Sequence, residues 1–131
     1  MIDIRPARAD DIVPIVALMR AEGMCLQDLN YEYLSPPVLV AVTDGRIVGV
    51  ISALLGQPVA YMATLVVDSS AHLGRGRIGE LLIHCMETWL RALGCTAWAA
   101  FFVDGGDLQH LLPHWPGAIG REKGQQWVKA L

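Results

Sequence analysis

The sequence predicts an α/β protein, a mixed sheet of six or seven strands with two long helices, in a single domain over residues 1–131. Three observations predict it. Apolar runs at 38–42, 47–55 and 59–67 follow one another with only four and three residues between them, and connections that short permit only antiparallel neighbours. A segment with apolar residues at helical spacing, Ile78 to Leu93, then precedes another apolar run at 96–103. That order lets the later run lie parallel to the earlier one in a βαβ unit. Finally, the apolar residues come in short runs broken by Gly, Pro or Asp, as in buried strands.

Bulk properties narrow the class. Hydrophobic residues make up 53% of the chain and mean hydropathy is +0.40, so a membrane protein has to be considered. The longest apolar run, VAYMATLVV, is nine residues, against the roughly 20 of a membrane-spanning helix. The start, MIDIRPARADD, contains no apolar signal-peptide core, which predicts a soluble, cytoplasmic protein. A net charge of −3 argues against nucleic-acid binding by phosphate neutralisation. Residues 21 to 45 hold no Lys or Arg but carry Glu22, Asp28, Glu32 and Asp44; such a stretch is either a solvated face or a means of steering a cationic substrate. The three cysteines and four histidines show no metal-ligand spacing, so no metal is expected. Cys85 falls on a helix face and Cys95 opens a strand, which reads as buried free thiols.

In chain order, IDIRP is a short first strand and ADDIVPIVALMRAEG an amphipathic helix. An Asp sits at its N-cap, Pro14 in the first turn and Gly23 at the end, with Ile12, Ile15, Val16 and Met19 as the buried stripe. CLQDLNYEYLSPP is ambiguous, with a second short helix as one reading. The first two strands of the meander are joined by Thr43-Asp44-Gly45-Arg46, a tight-hairpin signal. The later helix carries Ile78, Leu81, Leu82, Cys85, Met86, Trp89, Leu90 and Leu93 at helical spacing and stops at Gly94. DLQHLL reads as one or two helical turns, and AIGREKGQQWVKAL as a closing hairpin.

HLGRGRIGELL, residues 72 to 82, contains a complete G-x-G-x-x-G at Gly74, Gly76 and Gly79. A dinucleotide-binding turn needs its first glycine straight after the strand, in a sheet that is parallel throughout. Here Asp68 to Leu73 intervene and the upstream strands form an antiparallel meander. The topology argues against that fingerprint, and a nucleotide-binding oxidoreductase fragment stays as an alternative that titration with NADH would expose. The loop still has a chemistry of its own: backbone N–H groups at a helix start, the helix dipole, and the charges of Arg75 and Arg77 suit a pyrophosphate.

The stretch TLVVDSSAHLGRGRIGELLI, with the order of elements over essentially the whole chain, resembles the GNAT superfamily of N-acetyltransferases. It is similar to that family's motif A, a strand ending in Val, a loop, and Arg/Gln-x-x-Gly-x-Gly/Ala opening a helix. The loop from Val67 to Gly79 is one or two residues longer than the pattern. Either Gly76 takes the first motif glycine, with Ile78 at the second, or Gly79 takes the second, with Arg77 at the first. In both registers Leu73 or Gly74 stands where Arg or Gln is usual.

The resemblance implies acetyl-CoA as cofactor, bound by the backbone of Gly74, Arg75, Gly76, Arg77, Ile78 and Gly79. Leu65, Val66 and Val67 would offer backbone groups to the pantetheine arm. It implies transfer of an acetyl group to a small-molecule or peptide amine, and leaves homodimerisation open. The family's Tyr-Glu-Arg-Leu-Gly-Phe pattern falls on HLLPHW, which places His110 at the position of the tyrosine that protonates the leaving thiolate and Trp115 at the phenylalanine. No carboxylate lies in 59–67, where some members carry a base; Glu32, Asp28, Glu22 and Asp104 are the candidates, with Glu32 preferred between Tyr31 and Tyr33. With no tyrosine at 110, the alternative is a catalytically silent module that binds coenzyme A or a protein partner.

Overall fold

The computed structural model describes residues 1–23, 37–71, 74–101, 118–121 and 126–131. It holds β1 (Asp3–Pro6), one turn of 3-10 helix (Ala9–Asp11), α1 (Ile12–Ala21), β2 (Val38–Thr43), β3 (Arg46–Leu54), β4 (Val59–Val67), α2 (Arg75–Ala92), β5 (Ala97–Phe101), β6 (Ala118–Arg121) and β7 (Gln126–Ala130). These strands form one seven-stranded sheet in the order β1-β2-β3-β4-β5-β7-β6. The β4–β5 pair is parallel and every other pair is antiparallel. The predicted mixed sheet, meander and closing hairpin are all present.

Each helix covers one face. Along β2, Leu39 and Ala41 face the α2 core with Ile78, Leu82, Ile83, Met86 and Leu90, while Val38 and Val40 face the α1 core with Ile15, Leu18 and Met19. A strand buried on both faces has no polar side to show, which is why VLVAV and the run after it read as continuously apolar. Asp44 (φ 51°) and Gly45 (φ 73°) form the two-residue turn between β2 and β3, the left-handed pair a primed hairpin needs.

Two details of the helices differ from the sequence reading. In α1, Leu18 joins Ile15 and Met19 as fully buried, while Ile12 and Val16 are only half-buried. Asp11 accepts no bond within the helix as a side-chain cap; its carboxylate takes the Arg8 N–H at 2.7 Å and a forked pair from Arg5 at 2.6 and 3.0 Å. In α2, Trp89 and Leu93 are 42% and 41% exposed rather than core, and Ile83 and Glu87 are buried in their place. The buried stripe is rotated because a carboxylate, invisible to a count of apolar residues, faces inward and has partners there.

Candidate functional site

The site is built around the middle of β4. Its first half is held in the sheet: Val59 to Met62 pair in parallel register with Ala97 to Ala100 of β5, and Tyr61 and Met62 also pair with Leu54 and Ala53 of β3. The β5 ladder stops at the rung Met62–Ala100. At that same place β4 bulges, since Ser52 of β3 faces Thr64 and Ala53 faces Met62, leaving Ala63 as the extra residue. A bulge bends its strand and raises the local twist, so β4 changes course where its described ladder with β5 ends. Thr64, Leu65 and Val66 go on pairing with β3, and no described strand pairs with them on the other side.

Side chains here are core on both faces: Leu65 and Val67 on the α2 side, Val66 on the α1 side. The predicted role for residues 65 to 67 needs only their backbone, which is compatible with that burial. Sequence reasoning missed the hydroxyl pair beside the bulge. Ser52 and Thr64 are opposed across β3 and β4, 2% and 7% exposed, and Ser52 Oγ has no hydrogen-bond partner among the described residues.

From β4 the chain runs through an ordered turn to the glycine loop. Asp68 Oδ1 accepts the Ser70 N–H at 2.9 Å and the Ser70 hydroxyl at 2.7 Å. Those bonds, with the Arg46 guanidinium 3.6 Å away, hold the Asp68 carboxyl below the usual carboxylate range. Glu22 at the end of α1 accepts the Ser69 N–H at 2.8 Å. This candidate base therefore has its carboxylate engaged on the backbone of the turn.

Gly74 caps α2 with φ 79° and ψ 148°, a conformation that favours glycine. The first helical bond is Ile78 N–H to the Gly74 carbonyl at 3.4 Å, so the N–H groups of Arg75, Gly76 and Arg77 lie ahead of it, at the positive end of the helix dipole. A Cβ added at Gly74 or Gly76 would meet nothing within 4 Å. Arg77 is 62% exposed and stands 3.9 Å from Glu80; of Arg75 only the backbone is described. Ile78 and Gly79 are buried, and Gly49 is what lets Ile78 and Leu82 sit so low on the sheet. A Cβ at Gly49 would stand 2.9 Å from Leu82 Cδ1 and 3.0 Å from Ile78 Cγ2. The glycine loop thus divides: Gly74 and Gly76 face open space, whereas Ile78 and Gly79 face the core.

His110, Glu32, Asp28 and Asp104 lie outside the described residues, as do His72 and Cys25. His84 is a surface residue of α2. Burial pushes the Cys85 thiol above its ordinary range, which disfavours a thiolate there. Among the described residues no cluster of His, Cys, Asp or Glu could hold a metal, and no helix is long and apolar enough to cross a membrane.

A mixed sheet whose central strands share a short parallel ladder, followed by a glycine-led helix start, defines a class, the acetyltransferase-type α/β fold. The family model for the acetyltransferase (GNAT) family matches residues 13–112, and the chain belongs to that family. Solved structures share the fold at low identity. The N-acetylglutamate synthase of Neisseria gonorrhoeae, in complex with coenzyme A and N-acetyl-glutamate, superposes with a TM-score of 0.80 at 19% identity. That match covers 100% of this chain but only 35% of the synthase. The paia N-acetyltransferase of Thermoplasma acidophilum, in complex with coenzyme A, gives 0.76 at 14% identity, covering 100% of this chain and 99% of that one. The ribosomal-protein-alanine N-acetyltransferase of Brucella melitensis gives 0.72 at 21% identity, covering 98% and 99%. No curated protein sequence matches the chain.

Proposed function

We propose that the protein is an acetyl-CoA-dependent N-acetyltransferase acting on a small-molecule or peptide amine. The observation that carries this is the end of the described β4–β5 ladder at Met62–Ala100, which leaves the Thr64–Val66 stretch of β4 with no described partner on that side, ahead of the glycine-led start of α2. An extended arm with amide groups suits an unfilled ladder edge, and a pyrophosphate suits the N–H groups of residues 75 to 77. The open space at Gly74 and Gly76 leaves room for the phosphates to approach, and Arg77 supplies charge. The coenzyme A held by two of the structural neighbours supports the same assignment.

Acetyl transfer needs a neutral amine, a polarised thioester carbonyl and a proton for the departing thiolate. By family resemblance His110 donates that proton and Glu32 serves as base on the acceptor side. Removing a general acid costs about 10²–10⁴ in rate. His110→Ala should therefore lower kcat by that order with acetyl-CoA affinity kept, and His110→Tyr should restore part of the loss. An unchanged turnover in His110→Ala would remove the residue from the mechanism.

The test of the whole assignment is calorimetric titration with acetyl-CoA, followed by thiol release with a panel of amines. Absence of binding, or equal stabilisation by NADH, would defeat it. Binding without turnover on any amine would favour the silent module, a reading supported by the engagement of the Glu22 carboxylate with Ser69.

A further inference from the structure

Glu87 is 2% exposed and lies in the middle of the face that α2 turns toward the sheet. Its Oε2 accepts the Trp98 indole N–H at 2.9 Å and a Lys129 ammonium proton at 2.8 Å. Trp98, fully buried, stands on β5, and Lys129, with its side chain 14% exposed, on β7. The two are directly opposed in the β5–β7 ladder. One carboxylate therefore grips two adjacent strands at a single rung, and both strands lie on the far side of the gap from β4. The outer edge of the group is His84, whose Nδ1 is 3.9 Å from Glu87 Oε1 and whose side chain is 70% exposed.

The placement bears on the gap itself. Through Ile78 and Leu82, α2 packs down onto β3 at Gly49, on the near side of the gap. Through Glu87 the same helix holds β5 and β7. The rung Trp98–Lys129 lies only two residues before Ala100, where β5 last pairs with β4. A buried carboxylate is costly to leave in an apolar core unless it is paired and hydrogen-bonded, and apolar side chains there would fill the space without directional bonds. We infer that Glu87 is a positioning residue: the ladder itself fixes β5 beside β4 as far as Met62–Ala100, and by tying α2 to β5 and β7 at the Trp98–Lys129 rung Glu87 sets the direction in which β5 leaves that last rung, and so the width of the cleft for the extended arm of coenzyme A. This rests on the function proposed above.

A cleft-width role makes a prediction that a general stabilising role does not. ADP carries a pyrophosphate but no pantetheine arm, so it probes the start of α2 alone, whereas coenzyme A probes the start of α2 and the cleft together. In Glu87→Gln the indole bond can persist, but the charge that holds Lys129 is lost. Misplacement of about 1 Å by a remote substitution can cost on the order of 100-fold in rate. Glu87→Gln should then weaken coenzyme A binding about tenfold, with a matching rise in KM for acetyl-CoA, while ADP affinity stays within about twofold.

Lys129→Met, which keeps the stem and removes the ammonium, should show the same selective loss and guards against a Glu87 variant that does not fold. Equal weakening of both ligands, or an unchanged ratio of their affinities in both variants, overturns the inference and leaves the proposed function standing. If the wild-type protein binds no coenzyme A, the proposed function falls first and this inference with it.

Discussion

The two ends of α2 are built on opposite terms. At its start, Gly74 and Gly76 border open space, Arg77 reaches into solvent, and three backbone N–H groups precede the first helical bond. Its second half holds Met86 and Leu90, both fully buried, and the carboxylate of Glu87. Its last turn is closed off carbonyl by carbonyl: Leu90 O takes the Cys95 N–H at 2.9 Å and Leu93 O takes Gln57 Nε2 at 2.9 Å. Gly94 at φ 89° turns the chain away. The difference teaches a division of labour. One end is fastened to the sheet so that the other can hold donors that precede the first helical bond in a fixed direction.

The sharpest way to break that division is to cut the anchor. Leu90→Ala removes a fully buried side chain and should destabilise the fold by about 2–5 kcal/mol, read by urea unfolding. A loss below about 1 kcal/mol would mean that the second half of α2 is not the anchor.

The converse variant acts on the open end. Arg77→Ala should lower coenzyme A affinity by about 1.5–3 kcal/mol, the worth of a charge-assisted contact, at an unchanged melting temperature. A variant that unfolds, or one that binds normally, would assign Arg77 to the fold or to nothing.

The start of α1 provides a control away from α2. There the Arg5 fork, helped by the Arg8 N–H, holds the Asp11 carboxyl below its ordinary range. A carboxylate with a depressed folded pKa stabilises the native state above its unfolded pKa, about 3.9, and loses that contribution as pH falls through the lower folded value. Asp11→Asn should cost about 1–2 kcal/mol near neutrality, discounted for the partial exposure of Arg5. The difference from wild type should shrink in acid, and coenzyme A affinity should not move. A difference that persists below about pH 3 would show that Asp11 acts through shape rather than charge.

The smallest effect has opposite signs on the two properties. Gly76→Ala places a methyl in open space on a helix, which should raise stability by up to about 1 kcal/mol. On the proposed function the same methyl stands where the phosphates approach, so affinity should fall. Rising stability with unchanged affinity would clear Gly76 of any part in binding.

The fold was legible where a single physical rule governs. Tight connections forced the antiparallel meander, Asp44-Gly45 set the hairpin, and helical spacing found α2 and its stop at Gly94. Legibility failed where a polar group replaces an apolar one. Glu87 looks like a surface acid in the sequence because its partners, Trp98 and Lys129, come from strands 11 or more residues away. Counting apolar positions then assigned Trp89 and Leu93 to a face they do not occupy. For the site, Gly74 to Gly79 were legible as a helix start. The bulge at Ala63 was not, since alanine announces no irregularity and the offset appears only when Ser52 and Ala53 choose partners. His110 and Glu32 rest on family resemblance alone, and both lie outside the described residues.

The last shared rung of β4 and β5 also works as a depth stop. Where Met62 meets Ala100 the two strands bond directly to each other, and nothing can slide between them. An extended chain entering from the open end advances about 3.3 Å for each residue-length of backbone until it reaches that rung. On the proposed function, the span from the start of α2 to the closed end would act as a ruler, selecting molecules whose tip arrives as the far end is gripped. Selection by length requires no particular side chain. It would survive substitution at any position that keeps the pairing of β3, β4 and β5, and shifting the bulge at Ala63 by one residue would recalibrate it.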